Sequence, residues 1–466
     1  MTKKLCPLPW QQMVVGITGI AVPCCYRPWP EAFGNLKTED VHSIWNGPRY
    51  VELRKAMVEG GIEAACPDCQ IIPVQGIPPL MKKPEFMEDK DTPYAANMAM
   101  VEEEFSAGAT TLSARPTMFT ISPSGRCNIV CPHCSQHENH ISKEEVGDNA
   151  WAAIRDLTPT LDYLNWGGGE PTIQPEFRRF LESGLPEQAP QLTIAMISNG
   201  LLLKQDLVRR LAGFRKTTLQ VSIDAGTKEV YEKVRWPAKW EVLQRNLRDM
   251  IELERTQEGF WVVGSYTINK SNALSIVDYI ALCRELGLPS SFYSVWHYPP
   301  EHRPDLFNDV DAETVGWEEE FRRAREDARR YDAEAPPTCM APDGSLYAMT
   351  PFLERYLGII EAGMAEASGH VRRSFSFGAA CAGRFVLVRR QSDRRAVAYG
   401  TCGKDGIVTA RVPMVPLRLE IWENGYLHQR IALAHCDDPL DQPEVFRMRF
   451  DEAGVSGVPV LGAEPS

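Results

Sequence analysis

Met118-Phe119-Thr120-Ile121-Ser122-Pro123-Ser124-Gly125-Arg126-Cys127-Asn128-Ile129-Val130-Cys131-Pro132-His133-Cys134 is the stretch on which the reading of this chain turns. A short apolar run with strand composition leads into three cysteines spaced C-x3-C-x2-C. A closed structural metal site takes four ligands, so three thiolates leave one coordination position open for chemistry. At this point a zinc knuckle completed by His133, His137 or His140 remains the alternative, because it uses the same spacing.

Outward from that loop, composition narrows the field. At 466 residues the chain exceeds one ordinary core, and two or three domains are expected. Its apolar fraction of 44% and charged fraction of 24% are those of a globular protein. The balance of 50 basic against 62 acidic side chains, a net −12, argues against nucleic-acid binding. No basic leader and no long uncharged apolar run are evident, so no membrane association is expected. Eight of the 13 cysteines fall in two groups: Cys6, Cys24, Cys25, Cys66 and Cys69, then Cys127, Cys131 and Cys134. Tight C-x2-C and C-x3-C spacings point to metal or iron–sulfur ligation in a reducing cytoplasm rather than to disulfides. The remaining cysteines (Cys283, Cys339, Cys381, Cys402, Cys436) are scattered and read as buried thiols.

Residues 1–75 form a first unit. Met13–Ile17 and Ile20–Val22, joined by Thr18-Gly19, read as a hairpin that delivers Cys24 or Cys25 at its end. Cys66-Pro67-Asp68-Cys69 closes the unit, which is short enough to need a metal or cluster staple. Cys6, one of Cys24 and Cys25, Cys66 and Cys69 supply four thiolates, enough for a closed iron–sulfur cluster or a structural zinc. Residues 76–112, rich in Pro and Lys and then acidic at Glu102-Glu103-Glu104, read as a linker with a solvated face.

From 113 to 300 strand-like runs alternate with helical ones. The strands are expected at Met118–Ile121, Leu161–Trp166, Leu192–Ile197, Leu219–Ile223, Trp261–Ile268 and Phe292–Trp296. The clearest helix runs from Leu274 to Leu286, with Ile276, Tyr279, Ile280 and Cys283 on one face and Gly287 as its stop. Such alternation gives a parallel α/β sheet, open or curved towards a barrel, whose ligands sit at the carboxyl ends of the strands. Those ends carry the three-cysteine loop, Gly167-Gly168-Gly169-Glu170-Pro171, Ser198-Asn199-Gly200 and Ser222-Ile223-Asp224, with Arg235 following. Singly each is ordinary turn chemistry; in order, each at a strand end, they share one explanation.

That series resembles the radical SAM superfamily. The resemblance implies a partial (β/α)6 TIM-type barrel over 113–300 and a [4Fe–4S] cluster on Cys127, Cys131 and Cys134, with S-adenosylmethionine (SAM) on its fourth iron. It implies that Gly168, Gly169, Glu170 and Pro171 hold the methionyl ammonium. Ser198, Asn199, Ser222, Asp224 and Arg235 match positions lining the methionyl and ribose ends. An aromatic residue often precedes the third cysteine in that family, and His133 stands there instead. The N-terminal unit, through Pro23-Cys24-Cys25, Gly34-Asn35-Leu36, Ile44-Trp45-Asn46-Gly47 and Cys66-x-x-Cys69, resembles a SPASM domain and implies one auxiliary [4Fe–4S] cluster, here ahead of the catalytic core instead of after it.

Beyond 300 that signal fades. Residues 301–380 read as a mixed helical connection and 381–466 as a small antiparallel β domain. The expected activity is reductive cleavage of SAM to a 5′-deoxyadenosyl radical that abstracts a substrate hydrogen, with the auxiliary cluster relaying an electron or ligating substrate. An electron donor such as flavodoxin or ferredoxin is implied, and the substrate is a small molecule, a sugar or a peptide. No peptide-recognition winged-helix unit is evident ahead of the core, which leans towards a non-peptide substrate or a separate recognition partner, and Tyr293, Trp296, His297 and Tyr298 are candidates for the substrate wall. A non-catalytic iron–sulfur electron-transfer protein, or a structural zinc protein, is the competing class.

Overall fold

A computed structural model describes residues 4–25, 32–66, 69, 77–134, 143–294, 316–334, 348–367, 371–377, 381–382, 384–390, 396–412, 416–423 and 426–433. The chain divides into two compact units, 1–293 with 316–356, and 294–315 with 357–466.

The first unit is built on a nine-stranded sheet. Its strands are β1 (Gln12–Val15), β2 (Ile20–Val22), β3 (Gly34–Asn35), β4 (Met118–Ile121), β5 (Tyr163–Trp166), β6 (Thr193–Ser198), β7 (Lys216–Ser222), β8 (Phe260–Ile268) and β9 (Ser290–Ser294). They lie side by side in the order β3-β2-β1-β4-β5-β6-β7-β8-β9. From β4 to β8 neighbours are parallel and follow chain order, the arrangement of an open, partial (β/α)6 barrel. Near-continuous burial of β-branched and aromatic residues, as in Phe260–Ile268, is what a strand covered on both faces requires. The intervening helices each bury one stripe. In Trp240–Glu254 it is Leu243, Leu247, Met250 and Ile251. Ile276–Leu286 buries Ile276, Tyr279, Ile280 and Cys283 and ends on Gly287 in the left-handed conformation, φ 66°.

The hairpin β1–β2 does not stand apart from this sheet. β1 pairs in parallel with β4, Gln12 opposite Met118 and Val15 opposite Ile121, and β2 runs back antiparallel to β1. Trp10 and Trp45 are fully buried and donate their indole N–H groups to Ala109 O (2.8 Å) and Ala114 O (2.9 Å). The linker expectation for 76–112 is corrected. Pro93–Ala107 is a helix, capped by the Thr92 side chain, that buries Tyr94, Met98 and Val101. Lys83 is driven inward with its Nζ donating to Asp162 O (2.9 Å) and Thr193 Oγ1 (2.7 Å). Glu104 is no solvated acid either, since its carboxylate accepts from Ala114 N at 3.1 Å.

In the second unit, β11 (Phe385–Arg390), β12 (Ala396–Thr401), β14 (Leu417–Glu423) and β15 (Tyr426–Leu433) form an antiparallel sheet in the order β12-β11-β14-β15. β10 (Val371–Ser376) pairs antiparallel with β13 (Ile407–Val412). β10 adds a strand within 301–380, the stretch read as a mixed helical connection. Cys381 and Cys402 are buried in an apolar core with Val386, Val388, Leu419 and Ile421. Trp296, His297, Tyr298, Cys339 and Cys436 lie outside the described residues.

Candidate functional site

The carboxyl ends of β4, β5 and β6 are laced together by backbone. Gly169 N donates to Ser124 O (2.9 Å) and Glu170 N to Arg126 O (2.7 Å), so the loop after β5 clasps the loop carrying the cysteines. This clasp explains the glycines. Gly168 has φ 100°, and a Cβ on Gly169 would overlap the Arg126 carbonyl. Backbone meets backbone here. The sequence reading gave these glycines the approach of backbone to a ligand; in the fold they admit the Ser124–Arg126 backbone. Gln174, which the sequence did not single out, fastens the clasp by donating to Ser124 O and Gly167 O (both 3.1 Å) while accepting from Trp166 Nε1 at 2.6 Å. Its only sequence signal was a position three residues past Pro171.

Glu170 is fully buried. Its Oε1 accepts from Thr172 Oγ1 (2.7 Å) and Ser198 Oγ (2.9 Å), and its Oε2 from Asn199 N (2.8 Å). One carboxylate therefore ties the ends of β5 and β6 and keeps capacity on Oε2 for a further donor. Asn199 carries the network to the cysteine loop, with Nδ2 donating to Asn128 Oδ1 (2.8 Å) and facing Cys127 Sγ at 3.9 Å.

A second network lies at the end of β7. Asp224 has φ 58°, a left-handed backbone that its short polar side chain tolerates. Its carboxylate is fully buried, pairs with the Arg235 guanidinium and with His133 Nε2 (3.1 Å), and accepts from Thr267 N at 2.7 Å. Burial by itself would raise this carboxyl; Arg235 and His133 outweigh it and hold the group below the usual carboxylate range. Arg235 also turns Nη1 towards Cys131 Sγ at 3.7 Å. The Asp224 carboxylate thus faces Arg235 and His133 instead of open space, and acts as an anchor for a cation at a thiol. His133 fills the usual aromatic position by reaching the same carboxylate. Ser222 closes β7 opposite Ser265, and Pro171, buried, starts the turn Pro171–Ile173.

Burial raises the Cys127 thiol and takes Cys131 to about 11, with the Arg235 charge opposing the rise and Cys134 adding to it. Among the described residues no three His, Cys, Asp or Glu side chains converge as on a single metal ion. A four-iron cluster asks each thiolate to bind its own iron, so its ligands need not meet at one point. The surroundings suit such a group: an amide and a guanidinium are aimed at two of the sulfurs, the kind of hydrogen bonding that stabilises anionic cluster sulfur.

The N-terminal thiols form a different environment. Cys6 is buried before the turn Leu8–Gln11, and burial pushes its thiol up to about 12, with Cys66 and Cys69 adding to the rise. Ile62 N donates to Lys4 O (3.0 Å), bringing the end of the helical segment Pro48–Ala65 to the start of the chain, and Cys69 N donates to Cys66 O (3.1 Å). Burial raises the Tyr50 hydroxyl and Cys24 lies near enough to add a little to the rise, whereas Cys25 is exposed.

Comparison with known proteins agrees with this division. Residues 121–280 match the radical SAM superfamily model, and residues 6–70 match the SPASM model, an iron–sulfur cluster-binding domain. Mycofactocin maturase MftC of Mycobacterium tuberculosis is 25% identical over 167 residues, covering 34% of this chain and 40% of that protein. An AdoMet-dependent heme synthase of Methanosarcina barkeri is 27% identical over 188 residues, covering 40% of this chain and 51% of that protein. The chain thus matches about two fifths of the length of the curated maturases. Streptococcus suis SuiB bound to S-adenosylmethionine aligns with 61% of this chain and 64% of its own, at 14% identity and a TM-score of 0.38.

Proposed function

We propose that this chain, which carries a radical SAM domain over 121–280 and a SPASM domain over 6–70, is a radical SAM enzyme that oxidises or otherwise modifies a small molecule, a sugar or a peptide. Cys127, Cys131 and Cys134 would hold a [4Fe–4S] cluster. Bound there with SAM, it supplies reductive cleavage to a 5′-deoxyadenosyl radical that takes a substrate hydrogen. The observation that carries the reading is the joining of three strand ends at one thiol loop by a single buried carboxylate, Glu170, through Ser198 and Asn199.

The protein's own part is to bind and orient. Glu170 Oε2 has room for one more donor, which suits the methionyl ammonium of SAM. Arg235, held by Asp224, supplies positive charge beside Cys131. The clasped Gly168-Gly169 backbone fixes the distance between the thiol loop and Glu170. Relatives named as a maturase and a heme synthase support an enzyme over an electron carrier. Cys6, Cys24, Cys66 and Cys69 would hold an auxiliary [4Fe–4S] cluster, and a flavodoxin or ferredoxin would donate electrons. No helix among the described residues is long and apolar enough to cross a membrane.

Anaerobic reconstitution followed by assay for 5′-deoxyadenosine with SAM and a strong reductant tests the reading. Product dependent on iron supports it. Stoichiometric zinc without iron, or no cleavage by the iron-loaded chain, returns the protein to the structural or electron-transfer class.

A further inference from the structure

We infer that Tyr231 tunes the group held by the thiol loop: its hydroxyl donates to the Cys131 sulfur once that thiolate binds iron, and so raises the cluster's reduction potential. This rests on the functional reading above and deepens it.

The helix Lys228–Val234 sets the arrangement. Arg235 N donates to Tyr231 O at 2.8 Å, so the two side chains, four residues apart, leave the same face one turn from each other. Arg235 sends its guanidinium to Asp224 and turns Nη1 towards Cys131 Sγ at 3.7 Å. Tyr231 goes the same way. It is fully buried, with its ring packed against Trp240 at 5.3 Å. Its hydroxyl stands close enough to Cys131, Asp224 and Arg235 to feel the charge of each.

A hydroxyl taken out of water is costly to leave without a hydrogen bond. Tyr231 Oη is buried and has no such partner. Nor have His133 Nδ1 and Arg235 Nε, which belong to the two side chains paired with Asp224. Unsatisfied polar atoms are thus concentrated around one thiol. The Asp224 carboxylate, the other acceptor beside Tyr231, is already engaged by Arg235, by His133 and by Thr267 N. The acceptor left to the hydroxyl is the Cys131 sulfur, which becomes anionic on giving up its proton to bind iron. Cys131 is itself buried, so the bond forms away from bulk water, where donation to a charged acceptor counts most. Hydrogen bonds to cluster sulfur stabilise the added electron, and the potential rises with them.

The test uses the full chain with both clusters reconstituted, and follows the EPR signal that changes on adding SAM. Tyr231→Phe keeps the ring against Trp240 and removes only the O–H. At a fixed potential its ratio of reduced to oxidised cluster should fall about tenfold, which is about 59 mV for one electron. Iron content, and SAM affinity by calorimetry, should match the unaltered chain. A variant that only loses packing would lose iron without moving the potential of what remains, and would overturn the inference. Weaker SAM binding at an unchanged potential would overturn it too, by giving the hydroxyl to SAM. The unaltered chain grown with ring-deuterated tyrosine supplies a second reading. Pulsed EPR of the same signal should show coupled deuterons, and their absence would overturn the inference even if the variant did not fold. A chain with no iron–sulfur signal that responds to SAM would instead remove the functional reading, and the inference with it.

Discussion

Two groups of thiols flank the same pair of strands, and they differ in what faces their sulfurs. At the carboxyl end of β4, Cys131 meets a guanidinium and Cys127 an amide N–H. Ahead of the amino end of β1, Cys6 is buried with Cys66 and Cys69 near enough to act on its thiol. The buried Arg54 is turned to backbone instead, donating Nε to Pro9 O and Nη1 to Thr110 O. Burial is the first cause of the rise at both thiols, and at Cys131 the Arg235 charge opposes it whereas at Cys6 the neighbouring Cys66 and Cys69 add to it. The difference teaches which site is built for a changing charge. A closed site needs only ligands; a site that exchanges its fourth ligand and its electrons also needs fixed dipoles around it.

The comparison breaks most visibly at the ligands. Cys127→Ala should abolish SAM cleavage and remove about four irons per chain, whereas Cys6→Ala should lose similar iron and keep cleavage. Iron analysis and 5′-deoxyadenosine measured on the same samples read both. Next comes Asp224. Its removal in Asp224→Ala leaves Arg235 as an uncompensated buried charge, which costs about 3–5 kcal/mol by urea denaturation of the chain.

Asp224 also has a pH signature. Because its folded carboxyl is held below the ordinary 3.8, its contribution is complete above that value and lost as pH falls further. The stability gap between the wild-type chain and Asp224→Asn should stay level from neutral pH down to about 4, then narrow in more acid solution.

A smaller effect is expected at Glu170. Glu170→Gln preserves its shape but removes the charge offered to an ammonium, and should weaken SAM binding roughly 10- to 150-fold by calorimetry. The smallest lies at Lys37, whose ion pair with Glu144 joins the N-terminal segment to the far side of the thiol loop. Both side chains are partly exposed, so Lys37→Ala should cost less than about 1 kcal/mol in the same urea experiment.

The parts of this account that were legible in sequence are those written locally. Met118–Ile121 is a strand as read, the helix to Leu286 stops at its glycine, and the motifs at Cys127, Gly168 and Ser198 do sit together. What was not legible depends on partners far along the chain. The pairing of Gln12–Val15 with Met118–Ile121 joins segments about a hundred residues apart, and no periodicity announces it. Helix Pro93–Ala107 was hidden because its acidic run looked solvated, although Tyr94 and Met98 face inward. Val371–Ser376 carries two arginines and two serines in six residues, so its strand character came only from pairing with Ile407–Val412. Asp224 was recognised by position, but its role as an anchor follows from burial, which a motif does not state.

The central claim is that Cys127, Cys131 and Cys134 seat the cluster at which SAM is cleaved. It is tested most directly by quantifying 5′-deoxyadenosine from the anaerobically reconstituted chain, and from its Cys127→Ala variant, with SAM and dithionite. The account predicts product from the unaltered chain and none from the variant. Equal product from both, or none from an iron-loaded unaltered chain, would contradict it.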